Sequence, residues 1–244
     1  MKETIFTIQN NSPLTESVYK MILSGDTSEI TSPGQFVNLK IDGLFLRRPI
    51  SVCDLEDGLL TLIYKVVGKG TEEMSKMIPG TKMNLLTGLG NGYDTSVSGN
   101  KPLLIGGGVG VPPLYYLARK LKEEGKKVIV ILGFNTKSEL FLEKEFADLG
   151  IETIVATADG SYQNKGFATD VLPKEYTYVY TCGPEPMLKA VFHKIQTSGQ
   201  FSFEERMGCG FGACMGCSCK TITGYKRICK DGPVLRKEEI LWED

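Results

Sequence analysis

Histidine is nearly missing from this chain: His193 is the only one in 244 residues. By pattern it falls mid-helix among Val191, Phe192 and Ile195, which reads as a satisfied, partly buried side chain, and no acid–base constellation can be assembled elsewhere. Neither sign of charge is in excess. A total of 28 Lys and Arg against 29 Asp and Glu leaves a net charge of −1, so no basic field draws nucleic acid or an anionic membrane surface. No apolar run approaches the roughly 20 residues that cross a bilayer. The opening Met-Lys-Glu-Thr-Ile-Phe-Thr lacks the apolar stretch and small-residue cleavage site of a signal peptide, and a cytoplasmic location is expected. Long glycine-serine linkers are absent as well. At 41% hydrophobic and 23% charged residues the composition is ordinary for a soluble globular protein, with length for one large domain or two to three small ones.

Cysteine and glycine, by contrast, are concentrated in one place. Residues 207–219, Met-Gly-Cys-Gly-Phe-Gly-Ala-Cys-Met-Gly-Cys-Ser-Cys, hold four of the seven cysteines, and Cys229 follows. Cys209, Cys214 and Cys217 stand in the C-x4-C-x2-C spacing of a plant-type iron–sulfur loop, with Cys229 available as the fourth thiolate. The interleaved Gly208, Gly210, Gly212 and Gly216 let a short loop curl and leave room for amides to face sulfur. A structural zinc more often shows two separated C-x2-C pairs, and only one stands here, Cys214 and Cys217. A disulfide framework is not needed by a chain long enough to bury its own core. Cys219 could replace Cys217 as a ligand, but residues 218–223 read as a strand leaving the loop, where Cys219 is a buried thiol.

Upstream, the first ninety residues are short strands parted by turn signals: 5–9, 18–23, 35–41, 49–55, 59–67 and 82–86. Asp57-Gly58 is a tight hairpin signal, and the spacing predicts a small antiparallel barrel. One helix interrupts it, with Thr71 capping residues 72–78. From Lys101 the period changes. Buried-strand runs at 102–105, 127–132, 151–157 and 176–181 alternate with helices. Leu114, Leu117, Ala118 and Leu121 mark the first of these, which stops at Gly125; the second spans 140–149 and stops at Gly150. The last, marked by Met187, Leu188, Val191 and Ile195, stops near Gly199. Such alternation means a parallel sheet with helices on its faces, and the polar residues 91–101 read as the joint between barrel and sheet.

Two strand-to-helix turns in the second unit have room for a nucleotide. Gly106-Gly107-Gly108-Val109-Gly110 ends its first strand, where a phosphate can approach the backbone at a helix start, although Pro113 breaks the G-x-G-x-x-G pattern; a tight turn with no ligand is the plainer alternative. Cys182-Gly183-Pro184-Glu185-Pro186-Met187 forms the second turn, at the edge where ligands of open α/β sheets gather. Cys182 could face a nicotinamide there or be a small buried residue. Residues 134–139 carry one lysine and no arginine, which favours NAD over NADP. In the barrel, Arg47-Arg48-Pro49-Ile50-Ser51 opens a strand and Gly68-Lys69-Gly70-Thr71 opens the short helix. Bidentate guanidinium donors and helix amides both suit a pyrophosphate; a surface arginine pair and an ordinary loop suit the same residues.

Taken in order, Arg-Pro-Ile-Ser, Ile-Tyr-Lys with Gly-Lys-Gly-Thr, Gly-Gly-Gly-Val-Gly-Val-Pro-Pro-Leu and Cys-Gly-Pro-Glu-Pro-Met resemble the ferredoxin-NADP reductase superfamily. With Cys-Gly-x-Gly-Ala-Cys-x-Gly-Cys and Tyr225-Lys226-Arg227-Ile228-Cys229-Lys230-Asp231-Gly232-Pro233-Val234, the chain is similar to the electron transfer subunits of type B dihydroorotate dehydrogenases. That resemblance implies an α/β plus all-β fold: an antiparallel FAD-binding barrel over 1–98, a parallel-sheet NAD-binding domain over 99–199 and a small iron–sulfur module over 200–244. It implies that Arg48, Pro49, Ile50 and Ser51 hold FAD, Ser51 near the flavin ring, that Ile63, Tyr64 and Lys65 line its other side, and that Gly70 and Thr71 meet its pyrophosphate. Gly106, Gly107, Gly108 and Gly110 with Cys182, Gly183, Pro184 and Met187 would bind NAD. Cys209, Cys214, Cys217 and Cys229 would hold a [2Fe–2S] cluster, although the gap from Cys217 to Cys229 is much shorter than in plant-type ferredoxins. A separate FMN-bearing subunit would oxidise dihydroorotate in pyrimidine biosynthesis, in a heterotetramer of two of each chain, with this one passing electrons to NAD. A flavin and iron–sulfur subunit of another NAD(P)H redox complex, of ferredoxin-NADP oxidoreductase or sulfide dehydrogenase type, shares these motifs; a metal-binding interaction module shares the cysteines alone.

Overall fold

The N-terminal strands close on themselves. In the computed structural model, which describes residues 1–242, β1 (Lys2–Pro13), β2 (Val18–Ser24), β3 (Phe36–Leu39), β4 (Arg48–Glu56) and β5 (Leu59–Lys65) are followed by helix α1 (Lys69–Ser75) and β6 (Lys82–Leu89). The six strands form an antiparallel barrel in the order β1-β2-β5-β4-β3-β6. Alternate residues point inward, Phe6 and Ile8 from β1, Met21 and Leu23 from β2, Leu60 and Leu62 from β5, which is the period-two pattern that the sequence carries. Asp57 and Gly58 both adopt positive φ, 50° and 74°, as a two-residue hairpin turn of that twist requires. A register shift between Val52 and Asp54 leaves Cys53 as the extra residue of a bulge. Thr71 does not cap α1 as expected. It is the third residue of the helix, and its hydroxyl reaches back to accept from Val67 and Gly68 N–H at 2.9 and 3.3 Å.

The second unit alternates as expected: β7 (Pro102–Gly107), α2 (Pro112–Glu123), β8 (Ile129–Phe134), α3 (Glu143–Asp148), β9 (Glu152–Thr157), the short β10 (Asn164–Lys165), β11 (Tyr178–Cys182), α4 (Glu185–Lys194) and β12 (Gly199–Ser202). The strands are parallel, and the helices cover both faces. Leu104, Val130 and Leu132 pack with Leu114, Leu117 and Leu121 of α2, while Leu103, Ile105 and Ile131 pack with Leu188 and Val191 of α4. Helix α4 ends at Lys194, earlier than expected, and Gly199 begins a strand instead of stopping a helix. His193 is exposed in the last turn of α4, not partly buried, with its ring edge-on to Phe192 at 5.3 Å.

The chain then makes the cysteine loop, a hairpin of β13 (Ser218–Thr221) and β14 (Gly224–Arg227), a helical turn α5 (Ile228–Asp231) and β15 (Val234–Arg236). Strand β15 pairs antiparallel with β12, so the sheet runs β10-β9-β8-β7-β11-β12-β15. The division expected between 199 and 200 therefore falls inside β12, and Cys217, Ile228, Cys229 and Leu235 belong to the same buried cluster as Ile105 and Phe201. Trp242 closes that cluster edge-on to Phe192 at 5.1 Å.

Barrel and sheet meet through α2, which packs on β4. Val111 and Leu114 share a buried cluster with Cys53 and Ile63, and Arg119 donates from Nη2 to Asp54 Oδ1 at 2.6 Å and to the Leu55 carbonyl at 2.5 Å. The joint at 91–101 is no loose linker: Tyr93 is 4% exposed and its hydroxyl donates to Thr181 O at 3.2 Å, while Gln200 holds Asp94 through both its N–H and its carbonyl. Both side chains of the Arg119–Asp54 pair are more than four-fifths buried, so losing one partner strands the other. Arg119→Ala should lower the unfolding free energy by about 2 kcal/mol, and Asp54→Asn in that background should restore part of it; chemical denaturation reads both. A loss under about 0.5 kcal/mol, the range of an exposed ion pair, would show that the clasp contributes nothing.

Candidate functional site

The cysteine loop brings its thiols together two by two. Ala213 and Cys214 N–H point at Cys209 Sγ, at 3.2 and 3.4 Å, and Cys209 and Gly216 N–H point at Cys214 Sγ, each at 3.5 Å. The second pair is Cys217 with Cys229, whose N–H reaches Cys217 Sγ at 3.4 Å; both are 2% exposed. Among the described residues no three Cys, His, Asp or Glu converge as around a single ion. Two pairs match the ligand partition of a two-iron cluster, in which each iron takes two protein ligands, and amides aimed at sulfur are the tuning such a cluster uses. Burial pushes the Cys209 thiol up, but the amides of Phe211, Cys214 and Ala213 and the Cys214 side chain pull it down further, to about 6. Burial and the neighbouring Cys217 push Cys229 up to about 12. Metal ligation takes the deprotonated thiols, so filling the site releases protons. Cys219 stands outside both pairs. It is half-buried, not buried, and its thiol faces the Lys220 carbonyl at 3.6 Å.

The loop is not free on the surface. Asn38, 1% exposed on β3, donates from Nδ2 to the Cys209 carbonyl at 3.4 Å, and a Cβ at Gly210 would lie 2.3 Å from that nitrogen. Asn38 sits opposite Pro49 in the β3–β4 register. The first cysteine of the loop is thereby fixed beside the strand that opens with Arg48, Pro49, Ile50 and Ser51.

Those four residues are all half-buried, whereas Val52 and Cys53 after them are buried, so the start of β4 borders open space. The Arg48 guanidinium lies across the first turn of α1: a Cβ at Gly70 would fall 2.1 Å from Arg48 Nε. That crevice, a guanidinium facing helix amides, has the donor set for a pyrophosphate. On β5, Ile63 is buried against α2 and Lys65 is exposed. Tyr64 turns the other way, into the barrel, where its hydroxyl donates to Asn11 Oδ1 at 3.0 Å and its ring stacks on Tyr19. Its backbone, not its side chain, is what it would offer to a ligand beside β5. Thr71 is spent on the backbone of 67 and 68.

The glycine turn and the second strand-to-helix turn come together at the carboxyl edge of the sheet. Gly106 pairs with Cys182 across β7 and β11. A Cβ at Gly107 would meet Met187 Sδ at 2.5 Å, and one at Gly110 would meet the Cys182 carbonyl oxygen at 2.3 Å, so only glycine lets the two turns close on each other. Gly108, at φ 52° with nothing near its Cβ position, faces open space. Gly183 and Pro184 complete the edge. Burial pushes the Cys182 thiol up to about 12, with the Ser202 side chain pulling it down, so it is a neutral side chain and not a nucleophile. The turn at Gly108–Gly110 packs on β5, which brings the nucleotide edge against the barrel. Beyond β8 and β9 the edge carries both signs: Glu139 accepts from Asn135, Asp159 accepts from Ser161 with Lys165 beside it, and Lys137 Nζ rests 5.3 Å from the centre of the Tyr162 ring. Asn38, Tyr93, Arg119 and Arg227, which set these parts against one another, carry no local signal that singles them out.

Comparison with known proteins agrees with this layout. Residues 204–241 match the profile of the iron–sulfur cluster binding domain of dihydroorotate dehydrogenase B, and residues 104–193 match the oxidoreductase NAD-binding domain. The electron transfer subunit of dihydroorotate dehydrogenase B (NAD+) from Geobacillus sp. is 43% identical over 256 aligned positions, covering 99% of each chain. The one from Fusobacterium nucleatum is 43% identical and covers 98% of this chain and 99% of its own. Among solved structures, that of an NADH-dependent reduced ferredoxin-NADP oxidoreductase, described for flavin-based electron bifurcation, superposes with a TM-score of 0.87 at 31% identity, over 97% of this chain and 90% of that one. A ferredoxin NADP+ reductase from Neisseria gonorrhoeae, at 19% identity, shares the fold over 80% of this chain with a TM-score of 0.67. The similarity thus runs along nearly the whole chain, and this protein belongs to the family of dihydroorotate dehydrogenase B (NAD+) electron transfer subunits.

Proposed function

We propose that this oxidoreductase subunit takes electrons from an FMN-bearing dihydroorotate dehydrogenase and delivers them to NAD+, through a [2Fe–2S] cluster and FAD, in pyrimidine biosynthesis. One observation carries the reading: Asn38 fixes the cysteine loop beside the opening of β4, while α2 fixes the nucleotide edge against β5, so the three groups of residues read here as cofactor sites border one region. A flavin supplies the conversion between two-electron hydride transfer and the one-electron chemistry of a cluster. The chain's own residues bind and orient. Arg48 and the first turn of α1 at Gly70 and Thr71 would hold the pyrophosphate of FAD, with Pro49, Ile50, Ser51 and the β5 residues Ile63 and Lys65 along its ring. Gly106, Gly107, Gly108, Gly110, Cys182, Gly183, Pro184 and Met187 would hold NAD, and Cys209, Cys214, Cys217 and Cys229 the cluster. Phe211 and Met215, 44% and 53% exposed on the cysteine loop, give the partner subunit an apolar surface to cover, in an assembly of two of each chain. None of the seven cysteines is in a disulfide, which suits a reducing, cytoplasmic setting.

Identity favours this reading over a ferredoxin-NADP oxidoreductase role, 43% against 31%. An anaerobic mixture of this chain, its FMN partner, dihydroorotate and NAD+ should produce NADH only when both chains are present; NADH bleaching the flavin without dihydroorotate turnover would move the protein to the sister complex. Cys229→Ser should remove the cluster's visible spectrum and cut dihydroorotate-dependent turnover by more than the roughly 10–100-fold that outer-shell changes cost, leaving NADH-dye reduction intact, and a normal spectrum would disprove the ligand. Because residues 134–139 offer a 2'-phosphate one lysine and no arginine, and that Lys137 is held over Tyr162, kcat/KM should favour NADH over NADPH by about tenfold or more, equivalent to about 1.4 kcal/mol. Equal values for the two cofactors would show that this edge does not discriminate.

A further inference from the structure

The four paired cysteines come from two pieces of chain, a loop carrying Cys209, Cys214 and Cys217 and a helical turn carrying Cys229, with the β13–β14 hairpin between them. Near Cys217 the pieces are joined by backbone, since Ile228 N–H donates to the Cys217 carbonyl at 3.1 Å. The outer part of the loop has no such ladder. Asn38 holds it at the Cys209 carbonyl, and Arg227 holds it at Gly212. The backbone N–H of Arg227 and its Nε both donate to Asp231 Oδ2, at 2.9 and 3.0 Å, and Nη2 reaches Asp231 Oδ1 at 3.4 Å. Held in that way, the guanidinium extends Nη1 to the Gly212 carbonyl at 2.9 Å.

The Gly212 carbonyl belongs to the same peptide unit as the Ala213 N–H, and in a trans peptide the two point in opposite directions. The only cis bond among the described residues is Gly232-Pro233, so fixing the Gly212 oxygen fixes the direction of the Ala213 N–H. That N–H donates to Cys209 Sγ at 3.2 Å, beside the amides of Cys214 and Phe211 that act on the same sulfur. Gly212 has φ 94°, and a Cβ there would lie 2.6 Å from Lys230 Cδ, so the same peptide is packed from the α5 side. A hydrogen bond to a ligating sulfur stabilises the reduced, more negative state of a cluster and raises its potential.

We propose that Arg227 is a positioning residue that sets the reduction potential of the iron–sulfur site by locking the Gly212–Ala213 peptide, so that the Ala213 amide stays aimed at Cys209. The inference rests on the [2Fe–2S] reading of the four cysteines, and it separates geometry from charge. Lysine keeps the positive charge but cannot bridge Asp231 and Gly212 with a fixed fork; glutamine loses both.

The test is a redox titration of the intact complex, followed by the electron paramagnetic resonance of the reduced cluster, on the unaltered chain, Arg227→Lys and Arg227→Gln. Both variants should titrate at lower potential, with NADH-dye reduction unchanged because the nucleotide sites lie elsewhere. A lysine variant titrating like the unaltered chain would show that charge alone matters and would overturn the inference, as would two unchanged variants. If neither position-227 variant retains iron, Asp231→Asn is titrated instead. It keeps the guanidinium and frees its anchor: a lower potential supports the locking role, while an equal or higher one, as loss of a negative charge alone would give, overturns it. An unaltered chain that binds no iron would overturn both this inference and the cluster reading; a cluster whose potential ignores Arg227 would overturn this inference alone.

Discussion

The packing of α2 against β4 is the contact on which the rest of the molecule depends. A barrel and a parallel sheet each bury their own core, and nothing in either dictates how they are set against each other. Val111 and Leu114 close over Cys53 and Ile63, and Arg119 closes over Asp54. Because the glycine turn leads directly into α2, seating the helix on the barrel also seats the nucleotide edge against β5. A buried apolar contact with a buried ion pair is stiff, and stiffness is what a chain needs when it must hold separate redox groups at fixed separation.

The cysteine region is built into that frame and not appended to it. Strand β15 extends the sheet, Cys217 and Cys229 sit in the core under it, and Asn38 reaches across from the barrel to Cys209. The inner pair of sulfurs is therefore dry, while the outer pair lies near solvent and takes most of the amide hydrogen bonds. Burial raises the Cys229 thiol, and amides lower that of Cys209. The two halves of the proposed ligand set thus differ in electrostatic environment, and hydrogen bonding and solvent exposure are among the levers that set a cluster's potential.

The one histidine is exposed on α4, and burial holds Cys182 neutral. What the candidate sites share is donors that would place charged cofactors: the Arg48 guanidinium beside α1, and amides aimed at Cys209 and Cys214.

How much of this was legible beforehand follows from the range of the interactions. The cysteine spacing, the glycine turn ahead of α2, the Asp57-Gly58 hairpin and the apolar periods of barrel and sheet are local: each depends on residues a few positions apart, so order along the chain suffices to determine barrel, parallel sheet and cysteine module. The cap of α1 and the end of α4 were misread because Thr71 bonds backward and Gly199 is claimed by a neighbouring strand. Only the tertiary structure decided that Tyr64 faces the barrel interior and that three residues near the C-terminus complete the sheet. Asn38 meets Cys209 across 171 positions, and a strand as short as β15 has no period to detect. Contacts of that kind arise from packing one finished element on another, and nothing in the residues beside them in sequence encodes the partner.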